Sequence, residues 1–140
     1  MGAGTDLWNQ FEALYGKKDW DGAASLFAAD AVHIDPTGRH AGRVAIRAWC
    51  EQGGEAFSDI SFPSSLLIEQ DGLIVAEYTF RAVHTGELPM PDGTVIPPSG
   101  NVHVIPCVTI SEFQDGKFAA MRDYFDLMTG LSQLGLVPGT

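Results

Sequence analysis

Between Leu73 and Thr85 the chain alternates strictly, with Ala76, Tyr78, Phe80 and Ala82 on one side of an extended backbone and Glu77, Thr79 and Arg81 on the other. A strand of period two with one apolar face needs a second layer over that face and water on the other. More strand surrounds it. Ile60–Glu69 leads in through a turn at Gln70-Asp71-Gly72, and Asn101–Phe113 and Phe118–Phe125 follow, joined at Gln114-Asp115-Gly116. Asp-Gly between alternating segments is a strong short-range signal for a hairpin. Leu88–Gly100, rich in Pro and Gly, reads as an extended loop or a loose hairpin connection. The second half of the chain is therefore an antiparallel sheet with one face to be covered.

The first half supplies the covering layer. In Thr5–Lys17 the residues Leu7, Phe11, Leu14 and Tyr15 recur at helical spacing, with Thr5 or Asp6 as cap. Asp19 or Asp21 can cap a shorter helix bearing Ala23, Leu26 and Phe27, expected to end near Ala28–Asp30. Ala31–Asp35 reads as a strand stopped by Pro36 and Gly38, and Gly42–Phe57 as a third helix with Val44, Ile46, Trp49 and Cys50 as its buried candidates. Leu127–Leu136 is a terminal helix for which Asp126 suits the N-cap. With no repeat and no long linker, the expectation is one α+β domain over residues 1–140. Helices on one face of a curved sheet leave a pocket between the layers.

The formal charge of −10, from 18 acidic residues against 8 Lys and Arg, repels phosphate backbones and anionic headgroups. Nucleic acid and membrane are not expected partners. The N-terminal stretch shows no basic segment followed by an apolar run, and no 18 apolar residues run together, so the chain reads as cytoplasmic. Cys50 and Cys107 stand far apart with no Cys-x-x-Cys spacing, and read as small buried hydrophobes. His33, His40, His84 and His103 show no helical metal-ligand spacing, so neither a metal nor another cofactor is implied.

The end of the chain carries the sharpest motif: Asp115-Gly116-Lys117, then Arg122-Asp123-Tyr124-Phe125-Asp126, then Gln133-Leu134-Gly135. Together with His84-Thr85-Gly86, Pro97-Pro98-Ser99-Gly100 and the order of elements, it resembles the SnoaL-like polyketide cyclases of the nuclear transport factor 2-like superfamily. The resemblance implies a cone-shaped, cystatin-like fold, a curved antiparallel sheet packed by N-terminal helices around an apolar pocket. It also implies that Asp123 is the acid/base residue. The limonene epoxide hydrolases carry a similar Arg-Asp-Tyr-Phe-Asp stretch, but this chain has Tyr78 and Phe80 where their Arg-x-Asp pair would stand. Ala29–Pro36 followed by Gly42-Arg43 is similar to ketosteroid isomerases, whose proton-shuttling aspartate falls on Asp35. Their oxyanion-hole tyrosine and protonated aspartate fall near Phe11 and Thr109, neither a strong acidic donor.

Strand alternation puts His33 and Asp35 on one face, two positions apart. The family geometry implies that this face and Asp123 line the same pocket, beside Tyr78 and Phe80. Burial and like-charge repulsion in such a place push a carboxyl towards the range where it exchanges protons near neutrality. The expectation is an acid/base enzyme without cofactor that closes or isomerises a hydrophobic, carbonyl-rich molecule. In it Asp123 moves the proton, His33 and Asp35 orient or share it, and Tyr78 or His84 meets the enolate oxygen. Phe11, Phe80, Thr109 and Trp49 complete the candidate binding residues, and Trp8 and Trp20 read as core. Two other expectations are an epoxide-opening enzyme and a ligand-binding scaffold without chemistry. The resemblance further implies a homodimer paired through its sheets.

Overall fold

A computed structural model describes residues 2–136. The elements in chain order are α1 (Ala3–Gly16), α2 (Trp20–Ser25), β1 (Phe27–Asp35), β2 (Gly38–Ala41), α3 (Arg43–Glu55), β3 (Phe57–Ser61), β4 (Ser64–Gln70), β5 (Leu73–His84), β6 (Leu88–Pro89), β7 (Val95–Ile96), β8 (Val102–Gln114), β9 (Lys117–Tyr124) and α4 (Leu127–Gln133). The main sheet runs β2-β1-β9-β8-β5-β3, and β4 also pairs with β5. All its pairings are antiparallel except β1 with β9. The fold is α+β, a curved and unclosed sheet with helices against its inner face.

The long strands form as their alternation predicts. On β5 the buried positions Ile74, Ala76, Tyr78 and Ala82 face the helices, while Glu77, Thr79 and Arg81 are exposed. Both Asp-Gly turns are two-residue hairpins, with φ of 50° and 79° at Asp71 and Gly72 and of 54° and 74° at Asp115 and Gly116. Positive φ at both central positions matches the right-handed twist of the flanking strands. Leu88–Gly100 contains the small β6–β7 hairpin.

Three local expectations are corrected and one strand is added. The second helix stops at Ser25, not near Ala28–Asp30, because Phe27 is fully buried and pairs with Phe118; that contact outweighs the helix preference of Ala28-Ala29. The strand expected over Ile60–Glu69 is split into β3 and β4, since Pro63 has no N–H to donate and Phe62 turns into the core against Trp8, Tyr15 and Tyr78. Val44 is 87% exposed: the buried stripe of α3 is Ile46, Cys50 and Gly54, and Val44 lies about 200° around the helix from Ile46. The strand does stop at Asp35, before Pro36, but the chain then turns straight back into a strand that was not expected, β2, which pairs with β1 and sets His40 opposite His33.

The core joins α1 to the sheet through an aromatic cluster of Trp8, Phe11, Tyr15, Phe27, Phe62, Tyr78 and Phe118. Asp126 caps α4, its carboxylate accepting from the Met128 and Thr129 amides at 3.0 and 3.4 Å. Gln133 ties that helix to β8: its Oε1 accepts from Val104 N and its Nε2 donates to Val104 O, each at 2.8 Å. The side-chain amide thus continues the ladder of β8 beyond the end of β9, and holds α4 over one end of the layers.

Candidate functional site

Between the sheet and the helices lies an apolar cavity of about 400 Å³. Its walls include Trp8, Phe11 and Tyr15 of α1, Trp49 of α3, and Tyr78, Phe80, Ile105, Cys107 and Asp123 of the sheet. Leu88–Pro91 forms one side, and Leu131 and Leu134 close the end under α4. A space of this volume with few polar groups suits a small, largely apolar molecule.

Asp123 of β9 lines the cavity with its side chain only 11% exposed. The register places Thr109 directly opposite it on β8, and the Thr109 hydroxyl donates to Asp123 Oδ1 at 2.8 Å. Tyr78 OH lies 2.7 Å from Thr109 Oγ1. Since the single hydroxyl proton of Thr109 goes to the carboxylate, the Tyr78 phenol must donate to Thr109. On the other side His33 Nε2 lies 2.8 Å from Asp123 Oδ2, with the His33 side chain wholly buried. The carboxylate is therefore fixed from both oxygens, in a polar chain of Tyr78, Thr109, Asp123 and His33.

Asp35 also lines the cavity, and builds the β1–β2 turn. Its Oδ1 accepts from Thr37 N, Thr37 Oγ1 and Gly38 N at 2.8, 2.6 and 3.1 Å, and its Oδ2 from Trp49 Nε1 at 3.0 Å. The Trp49 ring covers His33, with ring centroids 3.6 Å apart, and the His33 and His40 rings stack at 5.4 Å. His33 and Asp35 thus share a face, yet only Asp35 reaches the cavity wall, while His33 stands behind Asp123.

Neighbouring groups are held neutral. Burial first, and then the Asp123 charge, raises the Tyr78 phenol above its usual value, so it stays a donor. Burial pushes the Cys50 and Cys107 thiols up to about 12, which leaves them poor nucleophiles. His103, on the cavity wall, is pushed down to about 4 by burial and then by His84. His40 is lowered by burial and by His33.

Of the residues picked from sequence, Asp123, Asp35, Tyr78, Phe80, Phe11 and Trp49 lie on the cavity wall. His33 and Thr109 hold Asp123 from behind. His84 does not line the cavity: it is buried, and its Nδ1 engages Ser99, pinning the segment after β7. Its place at the end of β5, where the inward-facing alternation still runs, explains the burial. The Tyr78 proton is committed to Thr109, so the expected pair of enolate donors is not on offer.

Sequence reasoning missed His40 and His103. The signals were present: β8 alternates through His103, Ile105, Cys107 and Thr109, and Pro36-Thr37-Gly38 can reverse a strand and set His40 against His33.

A family model described as the SnoaL-like domain matches residues 8–121, from α1 to the middle of β9. The chain belongs to the SnoaL-like domain family. The match takes in His33, Asp35, Tyr78 and Thr109 and ends two residues before Asp123. Among solved structures, a protein from Jannaschia sp. CCS1 provisionally named a SnoaL-like polyketide cyclase superposes with a TM-score of 0.83 at 18% identity, covering 97% of this chain and 94% of that one. TsrD from Streptomyces laurentii gives 0.80 at 25% identity, with 96% of each chain covered. A Catenulispora acidiphila protein described as having a ketosteroid isomerase-like fold gives 0.78 at 17%, covering 94% of this chain and 93% of that one. These likenesses establish the nuclear transport factor 2-like fold of this SnoaL-like domain. No curated protein matches the sequence. No helix among the described residues is long and apolar enough to cross a membrane.

Proposed function

We propose that this SnoaL-like protein is an acid/base enzyme that closes a ring in, or isomerises, a hydrophobic carbonyl-rich molecule of polyketide type, with Asp123 as the proton-transfer group. The observation that carries the reading is a carboxylate fixed on both oxygens by His33 and Thr109 at the wall of an apolar cavity. A base held in this way meets a bound carbon acid without reorganising, and the apolar walls fold the substrate into a reactive shape. In an aldol closure Asp123 takes the proton from a carbon flanked by carbonyls, and the resulting enolate carbon attacks a second carbonyl. The new C–C bond leaves an alkoxide, and Asp123 returns the proton to it. His33 acts as a positioning residue, because it touches Asp123 and not the cavity. None of these proton steps calls for an organic cofactor. The Jannaschia relative is provisionally named a cyclase, which supports the reaction class.

The test uses a panel of aromatic and linear β-polycarbonyl compounds, followed by ligand binding and product formation. Asp123→Asn is expected to lower turnover by at least about 100-fold while ligand affinity stays within a few fold. Binding that survives with no product from the parent protein would instead make this a carrier. Epoxide opening with oxygen from labelled water would make it a hydrolase.

We further propose that two copies pair through the exposed sheet face around Glu77, Thr79 and Arg81. Sedimentation at micromolar concentration is expected to show a dimer, and monomers alone would refute the pairing.

A further inference from the structure

Two histidine nitrogens beside Asp123 have no work in the proton chemistry above. His33 Nδ1 and His40 Nε2 are both buried, and neither has a hydrogen-bond partner among the described residues. Buried polar atoms are almost always paired, so two such nitrogens on neighbouring strands need a reason. They are not far apart: one ligand atom each from His33, Asp35 and His40 lie within 4.8 Å of one another. The β1–β2 register causes this by placing His33 opposite His40, with Asp35 two residues along on the His33 face.

We propose that His33, Asp35 and His40 bind a divalent transition-metal cation, with an open coordination position turned to the cavity. Two imidazoles and one carboxylate match the donor set of catalytic zinc, which takes three protein ligands and leaves the fourth place to water or substrate. The same set suits other first-row metals, and metal preference is read from the titration.

Three features of the structure support the assignment. His33 already has Nε2 at 2.8 Å from the Asp123 carboxylate, which accepts from an Nε2–H, and a neutral ring held in this way has its lone pair on Nδ1. A metal-bound histidine is held in this way by its outer partner. Asp35 is oriented by three hydrogen bonds to Oδ1, while Oδ2 takes one donor, from Trp49, and keeps a lone pair. The third ligand can adjust, because metal–nitrogen bonds of about 2.0–2.1 Å draw the ligand atoms closer than they stand, and the half-buried His40 is the side chain free to move.

Asp35 and His40 both line the cavity, so the open position is reached by whatever the cavity holds. A carbonyl or enolate oxygen of the bound molecule would complete the coordination. The cation would then stabilise the charge that Tyr78 and His84 are not placed to meet. Only this last role rests on the proposed function; cation binding itself does not.

The experiment takes the full chain without an affinity tag, stripped by chelator and dialysed. It is titrated with Co²⁺ by visible absorption and with Zn²⁺ by calorimetry. One equivalent is expected to bind, with Co²⁺ bands of four- or five-coordinate intensity. His40→Ala should weaken affinity at least about tenfold, and Asp123→Asn about 10- to 100-fold through the outer hydrogen bond. The surface variant Asp21→Asn should change nothing. Because variants can disturb the hairpin, the parent protein is also observed by ¹⁵N NMR, where Zn²⁺ should shift His33 Nδ1 and His40 Nε2.

Absence of one-equivalent binding, binding indifferent to His40→Ala, or imidazole shifts at other histidines would each overturn the proposal. Cyclisation that runs fully in chelator, with no metal bound by the parent, would overturn this site and leave the Asp123 reading standing. Metal binding without turnover of any polycarbonyl would do the reverse.

Discussion

Replacing Thr109 with valine nearly keeps the shape of the side chain and removes the one oxygen that joins Tyr78 to Asp123. Two hydrogen bonds of 2.7 and 2.8 Å disappear, and the Tyr78 phenol and Asp123 Oδ1 each lose a partner. A buried polar group left without its partner costs about 1–3 kcal/mol. Both groups border the cavity, where water can partly replace the hydroxyl, so the expected loss is at the low end, about 2–3 kcal/mol in total. Tyr78→Phe alone should cost about 1–2 kcal/mol, since it leaves Thr109 short of a donor. In the double variant the phenol is already without its acceptor, and removing it adds nothing further. The pair should therefore be less costly than the sum of its parts by about 1 kcal/mol or more. Urea unfolding followed by fluorescence of Trp8, Trp20 and Trp49 measures all three. A Thr109→Val protein within about 0.5 kcal/mol of the parent, or strictly additive losses, would refute the polar chain as an energetic unit.

Two further outcomes test how the cavity is built. His103 titrates near 4 when folded against the usual 6.5, so the unfolded chain binds the extra proton between those values and stability falls as pH drops through that window. The parent should lose about 2 kcal/mol more than His103→Gln between pH 6.5 and 4, after discounting for the partial exposure of the ring; equal losses in urea unfolding would refute the buried neutral histidine. Gln133→Ala removes both hydrogen bonds to Val104 and should cost about 1–3 kcal/mol while speeding hydrogen exchange at the Val104 amide. An unchanged exchange rate there would show that α4 is held by its leucines alone.

The architecture was legible where periodicity and turn chemistry agree. The alternation of β5 and the two Asp-Gly turns define two hairpins, four strands in all, without any tertiary information. The helical stripes of α1 and α3 were legible too, apart from Val44, which sits at the first turn of α3 where two more residues of rotation carry it to solvent. Boundaries failed where a tertiary contact outweighs a local preference. Phe27 is buried as expected but from the start of β1 and not from a helix, and Phe62 breaks an edge strand to reach Trp8 and Tyr78.

For the candidate site, the sequence determined which residues have the chemistry and which strand face each occupies. Two-residue alternation makes Asp35 and His33, or Thr109 and Cys107, neighbours on a face whatever the rest of the molecule does. It did not determine which strands lie side by side. The parallel pairing of β1 with β9 joins segments some 90 residues apart, and that pairing alone brings His33 to Asp123. Nor did it fix depth: His33 and His84 are both fully buried, but one touches the carboxylate on the cavity wall and the other is fastened to Ser99 outside it. Local period is written into each segment because it follows from backbone geometry over a few residues. Strand order, depth and the closure of a cavity depend on how all the segments pack together, and these only the tertiary structure decided.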